Sequence, residues 1–167
     1  MTTQTATPTL SSIEFRPFQP TDLYQVKLLN KTAFRASDLF EKIVFDDHDL
    51  EDPTVYEWGN RGVLLLGFVG DELVTMGGLC RQNDEEGEIR RMRTKLELQG
   101  HGLGRHVLGL LEESARELGY KAIVLDTTAD QPNARKMYEA GGYRETHRQK
   151  KENWVLESIY YRKELVD

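Results

Sequence analysis

A single cysteine, Cys80, stands among 167 residues. One thiol closes no intrachain disulfide, so the fold must hold without staples, which suits a reducing, cytoplasmic setting. Cys80 falls in an apolar stretch and is expected to be a small buried hydrophobe rather than a nucleophile. Positive charge is also short. Lys and Arg number 22 against 28 Asp and Glu, a formal net charge of −6, which argues against a nucleic-acid-binding surface. No apolar run approaches the length of a membrane span. Neither nucleic acid nor membrane is therefore expected as a partner. Residues 1–12 are rich in Thr and Ser and lack the basic start and apolar centre of a secretory signal; they read as a disordered tail. No internal repeat is visible. Residues 13–167 are expected to form one domain, long enough for a real core.

What the chain does have is a stretch around which the rest can be arranged. Residues 88–94 read as a strand. Gln99-Gly100-His101-Gly102-Leu103-Gly104 is a glycine-rich turn. Leu103, Val107, Leu110, Leu111, Ala115 and Leu118 then recur at helical spacing, and Gly119 sits where a left-handed C-terminal cap is wanted. The first N–H groups of a helix have no partner inside it, and the helix dipole adds positive potential there. Glycines let an anion approach without a Cβ in the way. The turn therefore predicts a phosphate or pyrophosphate site.

The remaining elements fall around this stretch. Ile13 to Phe18 alternates apolar and polar residues as an edge strand does, and Pro17 fits an edge. Pro20-Thr21-Asp22 opens a helix, with Thr21 or Asp22 as cap and Leu23, Val26, Leu29, Ala33 and Phe34 on its buried face. Ser37-Asp38 opens a second, with Leu39, Phe40, Ile43 and Val44. Its acidic end, Asp46, Asp47, Asp49, Glu51 and Asp52 around His48, reads first as solvated charge. A metal site and a negative rim for a cationic substrate are the other readings weighed. Gly62 to Val69 is a strand apolar enough for burial on both faces. Gly70-Asp71 suits a tight hairpin into Leu73 to Arg81. Lys121 to Thr127 is an apolar strand, parallel to 88–94 and joined to it through the helix. Asp130 caps a further helix with Pro132 in its first turn, which Gly141-Gly142 ends. Residues 143–148 and 154–162 are two last strands.

Two motifs carry a resemblance. Gln99-x-x-Gly102-x-Gly104 resembles the signature of the GNAT superfamily of acetyl-CoA-dependent N-acyltransferases, whose consensus is Arg or Gln, two residues, Gly, one residue, Gly or Ala. Gln131-Pro-Asn-Ala134-Arg-Lys-Met137-Tyr138-Glu-Ala-Gly-Gly142-Tyr143 is similar to the second frame of that family, Asn-x-x-Ala-x-x-Leu-Tyr-Glu followed by Gly-Phe or Gly-Tyr. The opening Phe15-Arg16-Pro17-x-x-Pro20-x-Asp22 also resembles many such domains. The resemblance covers about residues 15–165. It implies that the amides of Gln99, Gly100, His101, Gly102, Leu103 and Gly104 hold the coenzyme A pyrophosphate. It implies that the backbone of Met92, Arg93 and Thr94 pairs with the pantetheine arm as an added strand would. Arg105 is a candidate partner for a phosphate oxygen. Gln131 occupies the family's Asn position, with Asn133 as the competing contact.

Amide formation from a thioester needs a neutral amine, a donor for the developing oxyanion, a proton for the leaving thiolate and two reactants held together. Tyr138 matches the family tyrosine that donates to the departing sulfur; its other reading is a core aromatic. Glu88 resembles the glutamate that histone-type members use, through water, as general base; its other reading is a solvated strand end. The fold implied is α/β (α+β), a mixed, mostly antiparallel sheet of six or seven strands flanked by about four helices. The coenzyme is expected in a cleft between strands 88–94 and 121–127. The reaction implied is acetyl transfer from acetyl-CoA to a primary amine of a small molecule or protein, with no metal. Homodimerisation, common in such folds, is left open. Two rival readings stand beside that reaction. One is an acyl-CoA sensor without chemistry, against which Tyr138 and Glu88 count. The other is a Rossmann dinucleotide site using Gly100, Gly102, Gly104 and Asp126, against which the third glycine is one residue early.

Overall fold

The structure is a computed structural model describing residues 6–33, 48–150, 152 and 156–166. Strand β1 (Glu14–Pro17) leads through a 3-10 turn into helix α1 (Leu23–Thr32); after the short helix α2 (His48–Glu51) come β2 (Val63–Val69), β3 (Glu72–Arg81) and β4 (Glu86–Thr94). Helix α3 (Leu103–Glu117), β5 (Ala122–Thr128), α4 (Pro132–Ala140), β6 (Arg144–Lys150) and β7 (Glu157–Glu164) complete the chain. The expected second helix from Ser37 through Val44 lies outside the described residues, as do Asp46 and Asp47 of the acidic stretch. Leu10–Ser12, within the expected tail, forms a 3-10 turn.

The seven strands make one sheet in the order β1-β2-β3-β4-β5-β7-β6. Every neighbouring pair is antiparallel except β4 and β5, joined by the crossover through α3. The centre of the sheet is buried on both faces, as in β2 and β3, whose strands are apolar on both, whereas the edge strand β6 is polar and exposed. In β2, Leu64 and Leu66 join α1, Leu50 and Tyr56 on one side, while Val63 packs with α3 and α4 on the other. Burial of α3 follows its 3.6-residue period at Leu103, Val107, Leu111 and Ala115; Leu108 rather than Leu110 completes the buried face. Truncating a wholly buried member such as Leu111 to Ala should cost about 2–5 kcal/mol. Gly119, at φ +82°, ends α3: its N–H and that of Tyr120 reach back to the Arg116 and Ala115 carbonyls, a Schellman-type stop.

Two caps differ from expectation. Gln19 caps the turn before α1, and Asp22 sits third in that turn, accepting the Gln19 N–H (2.7 Å) and both terminal nitrogens of Arg16. Asp22 also holds the N-cap position of α1, but its carboxylate makes no bond to that helix, being engaged by Arg16 and the Gln19 N–H. Before α4, Asp130 accepts the Thr128 hydroxyl (2.5 Å) and Gln131 holds the cap position without a side-chain bond.

Between β4 and β5 the ladder is short. Its register pairs are Glu86↔Ala122, Gly87↔Ile123 and Glu88↔Val124, after which the strands diverge. The cause lies in β4. Its register against β3 slips between Met76 and Gly78, so Arg91 and Met92 oppose Gly77, and Arg91 takes φ +55°. This is a β-bulge, which bends a strand and ends its pairing. A left-handed arginine costs about 1–2 kcal/mol against the ordinary strand conformation.

Candidate active site

The divergence of β4 and β5 opens a cleft of about 170 Å³ lined by Ile89 to Arg93, Asp126 to Thr128, Gln131, Ala134 and Tyr138. The glycine-rich turn follows the end of β4. Gly100 (φ +81°) and Gly102 (φ +84°) are left-handed, and a Cβ on either would meet nothing within 4 Å. Among the described residues, no acceptor engages the N–H groups of Gly100, His101, Gly102, Leu103, Gly104 or Arg105. The next amide, of His106, returns to the helix through the Gly102 carbonyl. A continuous set of unengaged donors at the N-terminus of a fifteen-residue helix is an arrangement suited to an anion.

Two exposed side chains of this turn bond to nearby carbonyls. His101 Nδ1 lies 3.0 Å from the Gln99 carbonyl and 3.2 Å from that of Leu98. Gln99 donates through Nε2 to the carbonyls of Ala33 and Thr94, tying the turn to α1 and β4, and its own N–H is engaged by Leu96. The free amides therefore start at Gly100, one residue later than the motif's first position. Arg105 is exposed and forms no ion pair among the described residues.

Along β4 the main chain alternates. Lys95 donates its N–H to the Val74 carbonyl, and Thr75 Oγ1 donates to the Arg93 carbonyl, so these groups face β3. Alternation turns the N–H groups of Met92 and Thr94 away from β3, to the side from which β5 has diverged. Their carbonyls are already engaged, Met92 by Arg93 Nη1 (2.9 Å) and Thr94 by Gln99. The Arg93 guanidinium also donates to Asn30 Oδ1 on α1, so this side chain fastens helix to strand.

Tyr138 is the buried residue of α4. Its ring lies against Tyr143 and Tyr161, with centroids 5.8 and 6.2 Å away. Its hydroxyl has no hydrogen-bond partner among the described residues, and the side chain lines the cleft. Burial pushes the phenol up to about 12, with Arg93 pulling it down and Asp126 up by less. Gln131 also lines the cleft, whereas Asn133 is exposed outside that lining.

A second, wider cavity of about 1110 Å³ adjoins the cleft at Arg90, bounded by residues 48–61, by the loop 80–84 and by Glu88. Glu88 occupies the last pair of the parallel ladder, and Arg90 Nε lies 3.1 Å from its Oε1. Cys80, its register partner on β3, is buried, and desolvation pushes its thiol up to about 12, as a small core residue requires.

Sequence reasoning missed the group that joins these cavities. Asp49 is not a solvated acid of a loop. It is 6 % exposed and receives Arg91 bidentately, Nε at 3.0 Å and Nη2 at 2.5 Å, and the buried Tyr56 hydroxyl also donates to it. Burial pulls its carboxyl up, but the bonds from Arg91 and Tyr56 outweigh that and hold it below the usual range. Partners 42 residues apart leave no local signal; the bulge that joins them is equally silent in a pattern of periods. Among the described residues no group of three or more His, Cys, Asp and Glu is placed to hold a metal ion.

This arrangement of sheet, cleft and amide-rich turn has known counterparts. Residues 28–143 match the family model described as the acetyltransferase (GNAT) family, and the chain belongs to that family. It is accordingly an acyltransferase. Solved structures share its fold. An acetyltransferase from Streptococcus agalactiae superposes with a TM-score of 0.77 at 20% identity, over 92% of this chain and 99% of that one. A GNAT-family acetyltransferase from Staphylococcus aureus gives 0.79 at 18% identity, with the same coverage. The yncA protein of Salmonella typhimurium, solved with its cofactor acetyl-CoA, gives 0.73 at 17% identity over 93% and 95% of the two chains. No curated protein matches the sequence.

Proposed function

We propose that the chain transfers the acetyl group of acetyl-CoA directly to a primary amine, both held at once. The observation that carries this reading is the run of unengaged N–H groups from Gly100 to Arg105, in the turn that follows β4, the strand that lines a cleft together with the Tyr138 phenol. When bound, acetyl-CoA would supply an activated acyl group on a thioester. The residues present fit it. The amides of Gly100 to Gly104, with Arg105 beside them, suit a pyrophosphate. The Met92 and Thr94 N–H groups offer main-chain pairing to a flexible amide-bearing arm. Gln131, rather than Asn133, is placed to reach it.

Tyr138 keeps its proton at neutral pH and offers it to the leaving sulfur. At about 12 it is a weaker acid than a thiol near 8.5, so it stabilises a thiolate by hydrogen bonding more than by complete transfer. Glu88, where the wide cavity meets the head of the cleft, takes a proton from the incoming amine through water. The wide cavity holds the acceptor. A domain that only senses acyl-CoA would need neither a cleft-facing phenol nor a carboxylate at this junction. The test is thermal melting with acetyl-CoA and with NAD. At a hundred times its dissociation constant a ligand adds about 2.7 kcal/mol. Stabilisation by acetyl-CoA alone is expected; stabilisation by NAD alone would refute the reading.

A further inference from the structure

We propose that Asp49 is a positioning residue for acetyl-CoA: acting through Arg91, it holds the β4 bulge in the shape that the coenzyme arm meets. The inference rests on the acetyl-CoA reading above and adds a residue from the opposite cavity to it.

Asp49 lies in α2 and lines the wide cavity, whereas Arg91 lines the cleft, so the pair spans the wall between them. Both side chains are all but sealed from solvent, at 4 % and 8 % exposure. Arg91 is the one described non-glycine residue with positive φ that lies within a strand. Arginine resists that conformation, and glycine would adopt it freely. The two-pronged grip of Asp49 fixes the guanidinium, and with it the backbone turn that sends the Met92 and Thr94 amides to the side from which β5 has diverged. The Tyr56 hydroxyl fixes Asp49 in turn.

The strand opposite is cleared for this arrangement. A Cβ at Gly77 would come 2.6 Å from Met92 Sδ, and one at Gly78 would come 2.6 Å from Tyr56 Cε1. Bare backbone on β3 thus seats the residue after the bulge on one face and the tyrosine of the clamp on the other. A generic ion pair would have no need of that accommodation.

The experiment is calorimetric titration of the full chain with acetyl-CoA, which needs no acceptor. Asp49→Ala is expected to weaken binding about tenfold and Tyr56→Phe, which removes one hydroxyl, about threefold. Asp49→Ala combined with Arg91→Gly is expected to recover to within about twofold of the parent, because glycine holds the left-handed turn unaided and no lone charge stays buried. Asp22→Asn disrupts another shielded ion pair, with Arg16, away from both cavities. It should lower Tm and leave acetyl-CoA affinity unchanged, which separates positioning from general stability. Should Asp49→Ala not fold, Tyr56→Phe and the double variant decide. Parental affinity in folded Asp49→Ala or Tyr56→Phe, or no recovery in the double variant, would overturn the proposal. Absence of acetyl-CoA binding by the parent chain is a different result: it removes the reading of the cleft, and this inference with it.

Discussion

The cleft between β4 and β5, about 170 Å³, and the basin beside it, about 1110 Å³, share Arg90 but little of their construction. The cleft is a main-chain object. A bulge, a divergent ladder and two left-handed glycines shape it, and its donors are amides. The basin is a side-chain object, assembled from segments far apart in the chain and held by ion pairs such as Arg81–Asp84 and Glu88–Arg90. Main-chain geometry tolerates much sequence change, and the fold is kept at about 20% identity. Side-chain walls change with each substitution, which is where an acceptor would be chosen.

This contrast can be broken experimentally, and the largest effect should come from the amide turn. Gly102→Val places a branched side chain at φ +84° and should weaken acetyl-CoA binding about a hundredfold by calorimetry, with the circular dichroism of the fold retained. Retained affinity would mean that the turn is only a connection. Tyr138→Phe should lower kcat by about thirtyfold while leaving acetyl-CoA affinity as it was. Full turnover would return this side chain to a purely packing role. Glu88→Gln should reduce kcat about tenfold, again without a change in coenzyme affinity.

A smaller effect separates the two cavities by pH. Asp49 is held below its ordinary 3.8. A carboxylate depressed in the folded state stabilises it fully above the unfolded value, and that contribution is lost as pH falls through the folded value. Asp22, lowered chiefly by its bonds from Arg16, behaves likewise. Tm should therefore drop as pH falls below about 4, and the drop should shrink in Asp49→Ala. An unchanged drop in that variant would detach basin stability from this carboxylate. The smallest effect lies outside both cavities: Ser158→Ala, which removes a buried hydroxyl without a partner among the described residues, should stabilise the protein by about 0.5–1 kcal/mol. A loss of stability on denaturant titration would show the hydroxyl to be engaged.

How far the molecule could be read in advance follows the same division. The glycine spacing of 100–104, the helical period of α3 and the β-α-β order are local patterns, and they place the cleft where it is found. The even burial of β2 was legible in its unbroken apolar run. The bulge was not, because Arg91 gives no turn signal and its left-handed backbone is imposed by tertiary contact. For the same reason Asp49 read as one acid among several. Its pairing with Arg91 exists only once α2 is laid against the sheet. The assignment of caps erred at Asp130, whose carboxylate takes the Thr128 hydroxyl while Gln131 holds the cap; Asp22 does hold the cap position of α1, with its carboxylate turned to Arg16.

The brevity of the β4–β5 ladder has a mechanical consequence. Strands β1 to β4 and strands β5, β7 and β6 are two panels stitched by three register pairs, with the salt bridge from Arg162 to Glu86 across the seam. An extended ligand arm lying against β4 would act as the absent rung of that seam. Its arrival should slow amide hydrogen exchange at Met92 and Thr94 directly, and along β5 by stiffening the joint between the panels. The molecule would then be more sheet-like with such an arm bound than without it, and departure of the arm would reopen the seam.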